Sequence, residues 1–295
     1  MKKLLFLFVA CCTFLLIFGC SEAPDVTNPT GQAALGTMVA RPEFVDNRTD
    51  AVIQQHILTV SQVYNTEKKP PKPPPDTGGG EDPNPNPAHK YAYIVGISDY
   101  EGTANDLEYC DEDAQAYKNY LQGEGFTCQM DLDGNATADD ITAGLQWLVN
   151  NASPGDEICF CYSGHGAKAP GSGSSIISAD LYYVTHDYVM SYFNGADCTK
   201  KMAVMDACVL GDFLSNVENG TMFATASTSS SSYDWPPFEH GAYTYFWLEA
   251  VNGQGMIYAE DAASYAKAEM KAWARSYKIR ATPSYSDKYD GMFDM

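Results

Sequence analysis

Two short segments carry residues that could perform thiol chemistry. Residues 163–166 read Ser-Gly-His-Gly and follow an apolar run, and residues 206–208 read Asp-Ala-Cys and follow another. In open α/β sheets, sites form beyond the carboxyl ends of the strands, so the two segments converge if their strands are neighbours. An imidazole beside a thiol can generate the thiolate and return a proton to the leaving group. We therefore expect Cys208 to act as a nucleophile and His165 as its base.

Other residues compete for these roles. Cys208 could instead be a buried core cysteine, which is the commonest fate of a free cysteine. Cys110 could be a second reactive thiol, because it directly precedes the helix predicted over 111–122 and a helix N-terminus lowers the pKa of a thiol. His186 and His240 are rival bases, but neither has glycines on both sides, as His165 has, to let a substrate approach the backbone. The chain has no G-x-S-x-G segment, so a serine hydrolase fits poorly.

The elements that must position these residues alternate between strand and helix. Apolar runs with β-branched residues predict strands over 91–97, 157–163, 201–206 and 221–226. Apolar stripes at helical spacing predict helices over 111–122, from an N-cap at Thr137, over 241–251 and over 262–277. This alternation predicts an α/β fold with a mainly parallel sheet flanked by helices on both faces.

The order of motifs along residues 90–290 resembles the caspase-like cysteine peptidases of the metacaspase type, peptidase family C14. The matching segments are 93–98 (Tyr-Ile-Val-Gly-Ile-Ser), 107–114 (Leu-Glu-Tyr-Cys-Asp-Glu-Asp-Ala), 125–126, 135–137, 154–156, 162–166, 206–208 and the Thr-Pro at 282–283. Two positions depart from the family's pattern. Tyr109 stands where the family has glycine, and Val-Leu-Gly at 209–211 replaces a residue followed by Ser-Gly. The resemblance implies a caspase-like (caspase–hemoglobinase) fold.

The resemblance also implies the parts of a catalytic site. It makes His165 and Cys208 a catalytic dyad, with the backbone N–H groups of Gly166 and Cys208 as the oxyanion hole. It lines the pocket for the substrate's P1 side chain with four residues, Cys110, Asp113, Ser163 and Asp206. Two carboxylates in a narrow pocket bind a cation through charge-assisted hydrogen bonds, so we expect cleavage of proteins or peptides after Arg or Lys. The two acids could instead be a helix N-terminal acid and a strand-end cap.

No cofactor is required for this chemistry, but a calcium ion is an open alternative. Asp180 and Asp187 lie in a region where some metacaspases hold calcium, although acids are sparse there. The Ser/Thr run at 227–232 is expected to form a flexible loop bordering the site. Many caspase-like proteins are activated by internal cleavage, and the candidate sites for a basic-specific enzyme are Lys168, Lys200 and Lys201.

The first nineteen residues resemble a bacterial lipoprotein signal peptide. Lys2 and Lys3 precede the fifteen apolar or small residues 4–18, a run shorter than the ~20 residues of a membrane span. The run ends in Gly19-Cys20, which resembles a lipobox, where the cysteine becomes the lipidated first residue. An ordinary cleaved signal is the alternative. We expect a lipid on Cys20 to anchor the chain to a membrane of the bacterial cell envelope, with the outer membrane or cell surface as candidate places.

The remaining chain divides into three parts. Residues 20–65 are predicted to form an N-terminal tether with a short helix over 50–64. Residues 66–89 are rich in Pro and Gly and are predicted to be a semi-rigid linker. Residues 90–295 are predicted to form the caspase-like peptidase domain.

Composition narrows the partners. The chain has 18 Lys+Arg against 38 Asp+Glu in 295 residues, a net charge of −20. Nucleic acid is excluded as a partner because phosphate binding needs clustered cations. The acidic surface favours cationic partners or simply solubility. A rival function is therefore a catalytically inactive caspase-fold surface lipoprotein that binds basic peptides, and the altered turn after Cys208 favours it.

Overall fold

The computed structural model describes residues 38–62 and 81–295. The predicted signal peptide, the lipidation candidate Cys20 and most of the predicted linker lie outside the described residues. The strands are β1 (Val39–Ala40), β2 (Ile57–Leu58), β3 (Lys90–Gly96), β4 (Thr127–Leu132), β5 (Glu157–Ser163), β6 (Gly166–Ala169), β7 (Gly173–Ile177), β8 (Tyr183–Thr185), β9 (Lys200–Asp206), β10 (Thr221–Thr225), β11 (Tyr233–Trp235), β12 (His240–Gly241) and β13 (Ser284–Asp287). The α-helices are α1 (Asp50–Gln55), α2 (Cys110–Gly123), α3 (Ala138–Asn151), α4 (His186–Gly195), α5 (Gly211–Ser215), α6 (Ala242–Leu248) and α7 (Ala259–Ser276).

A six-stranded sheet forms the centre of the described chain, in the order β13-β10-β9-β5-β3-β4. Neighbouring strands run parallel except at one edge, where β13 pairs antiparallel with β10. Helix α2 connects β3 to β4, and α3 connects β4 to β5 on the other side of β3. This reversal creates a topological switch point, the place where α/β sheets form ligand crevices.

The core lies on both faces of this sheet, because successive side chains of a strand point to opposite faces. On one face the rings of Tyr93 and Phe160 stack 5.6 Å apart and join the core that includes α3 and α4. On the other face Cys159 and Cys161 pack with α2, α6 and α7. Strand β5 is buried along its whole length, as a strand covered on both sides must be. The predicted α/β architecture is confirmed.

Local signals explain where the two helices nearest the site begin. Thr137 caps α3 in a reciprocal capping box with Asp140. The first turn of α2 carries three acids, Asp111, Glu112 and Asp113, which interact favourably with the positive end of the helix dipole. Both predicted starts are confirmed to within one residue.

Residues 38–62 belong to the folded unit. Together with residues 81–295 they form one compact unit. Strand β1 joins an antiparallel sheet in the order β1-β11-β12, and β2 joins a mixed sheet in the order β2-β8-β7-β6. Ile53 of α1 and Ile57 are part of the hydrophobic core. This stretch of the predicted tether therefore packs on the domain, and α1 lies within the predicted short helix.

Two further features concern the described chain. None of its helices is both long enough and apolar enough to cross a membrane. Its six cysteines are all free thiols. The sulfurs of Cys159 and Cys161 lie 3.6 Å apart without a bond, as their position two residues apart in one strand leads us to expect.

Candidate active site

The histidine and cysteine segments lie at the ends of adjacent strands. Strands β5 and β9 pair in parallel with Ser163 opposite Asp206, so His165 and Cys208 each lie two residues beyond the paired ends. The following backbones touch, because a Cβ on Gly166 would collide with the carbonyl oxygen of Cys208 and lie 3.0 Å from its amide nitrogen. Only glycine permits this approach. The structure thus brings together the two segments that the sequence singled out.

The imidazole of His165 is buried and is held on one side. Its Nε2 lies 2.8 Å from the carbonyl oxygen of Asn105. A carbonyl can only accept, so Nε2 carries the proton and the lone pair of the neutral ring is on Nδ1. Nδ1 is buried and has no hydrogen-bond partner among the described residues. Burial lowers the pKa of His165 to about 4, although the hydrogen bond to Asn105 raises it, so the ring is neutral near pH 7.

The thiol of Cys208 is 5% exposed. Its Sγ accepts a hydrogen bond of 3.1 Å from the backbone N–H of Ser232. Burial raises the pKa of the thiol, and the Ser232 N–H opposes this only in part. Within the described chain no hydrogen bond joins Cys208 to His165, so thiol and imidazole are both neutral in this arrangement. The next residue, Val209, has a φ of 49°, which is a strained conformation for a β-branched residue.

The four residues expected to line the P1 pocket are all fully buried: Cys110, Asp113, Ser163 and Asp206. Asp113 accepts hydrogen bonds from the Ser163 hydroxyl at 2.7 Å and from the Gly241 N–H at 3.0 Å. Asp206 accepts from the N–H and hydroxyl of Thr244 at 3.0 and 3.1 Å. Burial raises the pKa of the Cys110 thiol well above its usual range, which favours a pocket wall over a second reactive thiol.

An arginine of the chain itself fills this pocket. The Arg41 side chain is 0% exposed. Its Nε donates to Asp234 Oδ1 at 2.7 Å, one amino nitrogen donates to the Asp206 carbonyl at 2.6 Å, and the other donates to Asp113 Oδ2 and Ser163 Oγ, each at 3.1 Å. Every guanidinium nitrogen therefore has an acceptor, as a buried cation requires.

Charge in the pocket is balanced by this occupant. Burial acts to lower the pKa of the Arg41 guanidinium, but Asp234, the Cys110 thiol, Asp206 and Asp113 raise it well above its usual range. Burial raises the pKa of Asp234 to about 6, and Arg41 acts in the opposite direction. Burial also raises the pKa of Asp206, again opposed by Arg41. The positive charge of Arg41 offsets the mutual repulsion of the three buried carboxyl groups.

Sequence reasoning missed several residues of this site: Arg41, Ser232, Asp234, Gly241 and Thr244. Ser232 ends the Ser/Thr run that was expected to border the site and Asp234 lies two residues beyond it, and this proximity was their only signal. Arg41 lies in a stretch with no recognisable pattern. His240, a rival base in the sequence, instead lies 3.0 Å from Asp113 Oδ1. Burial acts to lower the pKa of His240, but the hydrogen bond to Asp113 and the charges of Asp113, Glu112 and Asp206 together raise it.

Two expectations about the surroundings need correction. The Ser/Thr run is a tightly bonded turn, since Ser227 and Ser232 are 0% exposed and the Thr282 hydroxyl bonds Ser227, Thr228, Ser229 and Ser230. Lys200 and Lys201 lie in a fully buried strand and cannot be cleavage sites in the folded chain. The Lys168 side chain is 51% exposed and stays a candidate.

Asp180 and Asp187, the candidate calcium ligands, each accept a hydrogen bond from the protein itself. Asp180 accepts from the N–H of Ala138 at 2.8 Å, at the start of α3. Asp187 accepts from the Thr185 hydroxyl in the first turn of α4. No group of three or more His, Cys, Asp or Glu suited to a metal ion occurs in the described ranges.

Comparison with known proteins agrees with this geometry. A family model described as the caspase domain matches residues 89–286. The chain belongs to the caspase domain family. This membership supports cysteine peptidase activity, and it confirms the family to which the motifs pointed.

Relatives of this caspase domain match over short stretches. Metacaspase-1 of Mycosarcoma maydis is 34% identical over 87 residues, 26% of this chain and 21% of that protein. Metacaspase-2 of Trypanosoma brucei brucei is 34% identical over 95 residues, 28% of this chain and 27% of that protein. The matched stretch thus covers only about a quarter of each relative's length. Protein GSU0716 from Geobacter sulfurreducens is similar in fold alone, with a TM-score of 0.53, 14% identity, and coverage of 68% of this chain and 94% of that chain.

Proposed function

We propose that this caspase domain is a cysteine endopeptidase that cleaves after arginine or lysine, with Cys208 as nucleophile and His165 as general base and acid. The observation that carries the proposal is the Arg41 side chain, bound in a closed acidic pocket beside the candidate nucleophile. A pocket that satisfies every nitrogen of one arginine is suited to the same side chain presented by a substrate.

The backbone around Arg41 supports the same orientation. Strand β1 pairs antiparallel with β11, and the Arg41 N–H donates to the Ser232 carbonyl at 3.1 Å. The N–H of the same Ser232 reaches the Cys208 sulfur. An extended peptide added to the β11 edge would therefore bring the carbonyl of its basic residue close to Cys208.

The chemistry follows from the hydrogen bonds of His165. Nδ1 takes the proton of the Cys208 thiol, and Sγ attacks the carbonyl carbon of the basic residue itself. The S–C bond forms while the carbonyl electrons move to oxygen, where the N–H groups of Gly166 and Cys208 would stabilise the charge. The C–N bond breaks as the imidazolium protonates the leaving amine, and a thioester remains. Water gives a proton to Nδ1 and attacks the thioester, and the thiol leaves with a proton returned from His165.

The cellular setting of the proposal comes from the N-terminal segment. We infer that Cys20 carries the lipid and holds the domain at a membrane of the cell envelope, where it meets protein or peptide substrates with basic residues. The chemistry needs no cofactor, and calcium is tested as an additive. Metabolic labelling with a fatty-acid analogue, compared with Cys20→Ala, would test the anchor. Label that persists in the variant would contradict it.

Turnover of fluorogenic peptides tests the activity. We would use the full chain with Arg41→Ala, so that the pocket is free, under reducing conditions with and without calcium. Peptides would carry Arg, Lys, Asp or Ala at P1. Cys208→Ala removes the nucleophile, and Cys128→Ala is the matched control, because Cys128 is a partly buried thiol of β4 outside the site.

We expect turnover after Arg or Lys that is lost in the Cys208→Ala chain and retained in the Cys128→Ala chain. Turnover after Asp would preserve the peptidase but contradict the acidic pocket. No turnover, with Cys208 slow to alkylate, would favour the non-catalytic binding protein. Three observations are compatible with such a protein: the strained φ of Val209, the lowered pKa of His165 and the raised pKa of the Cys208 thiol.

A further inference from the structure

The proposed cleavage after Arg or Lys leaves open whether the pocket distinguishes the two. The acceptors in the pocket contact different nitrogens of the Arg41 guanidinium group. The amino nitrogens meet Asp113, Ser163 and the Asp206 carbonyl. The Nε nitrogen, two bonds closer to the backbone, donates to Asp234 at 2.7 Å. The side chain of Asp234 is only 5% exposed.

A lysine in this pocket would satisfy fewer of these acceptors. Counted along the side chain from Cα, the ammonium of lysine takes the position of the arginine Cζ, and a methylene takes the position of Nε. The methylene would face Asp234 and could donate no hydrogen bond to its carboxylate. A buried acceptor left without a donor pays its full desolvation penalty, so sites built for a donor strongly reject analogues that lack it. The rigid fork of arginine cannot be replaced by one ammonium.

We propose that Asp234 is the specificity-determining residue that makes this pocket select arginine over lysine. The proposal rests on the proposed peptidase function, which it deepens. The residue directly follows Tyr233, and its neighbour Ser232 bonds both the Arg41 backbone and Cys208. Residues 232–234 therefore align the peptide backbone and contact its basic side chain.

The test compares Asp234→Ala with the parent full chain, both carrying Arg41→Ala. The readout is the ratio of kcat/KM for two peptides that differ only in Arg or Lys at P1. We expect the parent to prefer arginine by roughly 10- to 100-fold, the value of one charged hydrogen bond, and the variant to lose most of that preference. The lysine peptide should change little. Asp261→Ala removes an exposed acid of α7 and should leave the ratio unchanged.

The ratio is measured on one preparation, so partial unfolding of the variant cancels. A second measurement avoids turnover: protection of Cys208 from alkylation by N-acetyl-arginine amide and by N-acetyl-lysine amide. Loss of preferential protection by the arginine compound in Asp234→Ala supports the proposal. An unchanged arginine preference in Asp234→Ala overturns it. Absence of turnover on every peptide, with equal protection by both amides in the parent chain, overturns it together with the peptidase function.

Different contacts support a second inference about the segment that carries Arg41. The side chain of Arg41 is buried, but Val39, Ala40, Pro42 and Glu43 are exposed, so the segment lies on the surface and inserts one side chain. Further along, the N–H and carbonyl of Val45 bond the Asn105 side chain at 2.9 and 3.1 Å. The Phe44 ring lies 5.8 Å from the His165 ring. The segment thus reaches the pocket, the nucleophile's strand and the base.

We infer that residues 38–45 are a tethered inhibitor, bound like a substrate but resistant to cleavage. Arg41 lies in the P1 pocket, so Pro42 is on the leaving-group side. A proline nitrogen carries no hydrogen, and its ring restricts the residue before it. The bond after Arg41 is therefore protected while the pocket stays filled.

Two substitutions in the full chain test this. Arg41→Ala should raise kcat/KM for an external arginine peptide at least 10-fold over the unchanged chain. Pro42→Ala should allow self-cleavage, seen by mass spectrometry as a new N-terminus at residue 42 and absent when Cys208→Ala is added. Equal activity of the Arg41→Ala and unchanged chains, with both folded by circular dichroism, would overturn the inference. So would an intact Pro42→Ala chain that cleaves external arginine peptides, and this second readout stands even if Arg41→Ala unfolds.

Discussion

Two buried cations in this molecule are paired with acids in ways that differ instructively. Arg41 lies at the carboxyl ends of the central strands, among Asp113, Asp206 and Asp234. Lys200 begins β9, where its Nζ lies 2.7 Å from Asp82 and 3.4 Å from Glu157. In the first cluster the domain supplies the acids and a surface segment supplies the cation. In the second the cation belongs to a central strand.

This difference separates an exchangeable occupant from a structural one. Lys200 also donates to the Asn84 and Asp294 carbonyls at 3.2 and 2.6 Å, and the Tyr289 hydroxyl donates to Asp82. These partners come from both ends of the domain, and the strand cannot leave without unfolding. Arg41 directly follows the two-residue strand β1. As the tethered inhibitor inferred above, its segment would leave the pocket, and water or a substrate would take its place. Similar charge pairing therefore stabilises the fold at one end of the sheet and prepares a binding site at the other.

The largest effect that tests this comparison concerns stability. Lys200→Met should cost about 3–5 kcal/mol, because removing one partner of a buried pair leaves the acids uncompensated. Arg41→Met should cost less, because its pocket can open to water. Urea unfolding of both chains measures the contrast, with Lys288→Met as the control, since Lys288 is exposed. Equal losses of unfolding free energy in Lys200→Met and Arg41→Met would contradict the distinction between the two clusters.

A smaller effect is expected from filling the pocket. A Cβ on Gly241 would collide with Arg41 and Asp206 and lie 2.8 Å from Asp113. Gly241→Ala should weaken arginine binding by roughly 10- to 100-fold, the range expected from overpacking by one methyl. Competition by N-acetyl-arginine amide measures it. Gly123→Ala is the matched control, because a Cβ there has no atom within 4 Å. Unchanged binding in Gly241→Ala would place the arginine site elsewhere.

The pH dependence of selectivity should be smaller still. Burial raises the pKa of Asp234 to about 6, so this carboxyl gains a proton as the pH falls through 6 instead of near 4. Only the carboxylate accepts fully from Nε, so the Arg-to-Lys ratio of kcat/KM should fall several-fold between pH 7 and pH 5. The neighbouring Asp206, Asp113 and His240 act on both peptides, as do Cys208 and His165. A ratio that falls equally in Asp234→Ala would rule out this carboxyl as the cause.

The smallest effect belongs to an exposed pair. Lys168 and Asp212 lie 2.5 Å apart with side chains 51% and 41% exposed. Exposed ion pairs contribute about 0–1 kcal/mol, so Lys168→Ala should change the urea midpoint little. The same variant tests Lys168 as a processing site, because fragments seen by mass spectrometry in the parent chain should disappear from it. A loss of several kcal/mol would show that the stability contributed by an ion pair does not increase with its burial.

The sequence predicted the central elements because their signals are local. The buried strand 157–163 appears with the predicted bounds, and the capping residue Thr137 begins α3 as predicted. Strand β4 and the hairpin of β6 and β7 were missed, because partly polar strands have no long apolar run. The predicted helix over 241–251 divides into α6 and a π-helical turn over Glu249–Gly253.

The site was only partly predictable, for a different physical reason. The pocket acids Asp113 and Asp206 lie in recognisable motifs at a helix start and a strand end. Arg41 and Asp234 meet through contacts 193 residues apart in the chain, and no local pattern encodes such a pairing. The short strand that carries Asp234 is defined by its partners β1 and β12.

Covalent labelling tests the central claim most directly. The full chain with Arg41→Ala would be incubated with a peptidyl chloromethyl ketone carrying arginine, and separately with one carrying aspartate, and the modified residue located by mass spectrometry. We expect an adduct on Cys208 with the arginine reagent alone, formed more slowly when Asp234→Ala is added. An adduct formed as readily by the aspartate reagent, or on Cys110 in place of Cys208, would contradict it.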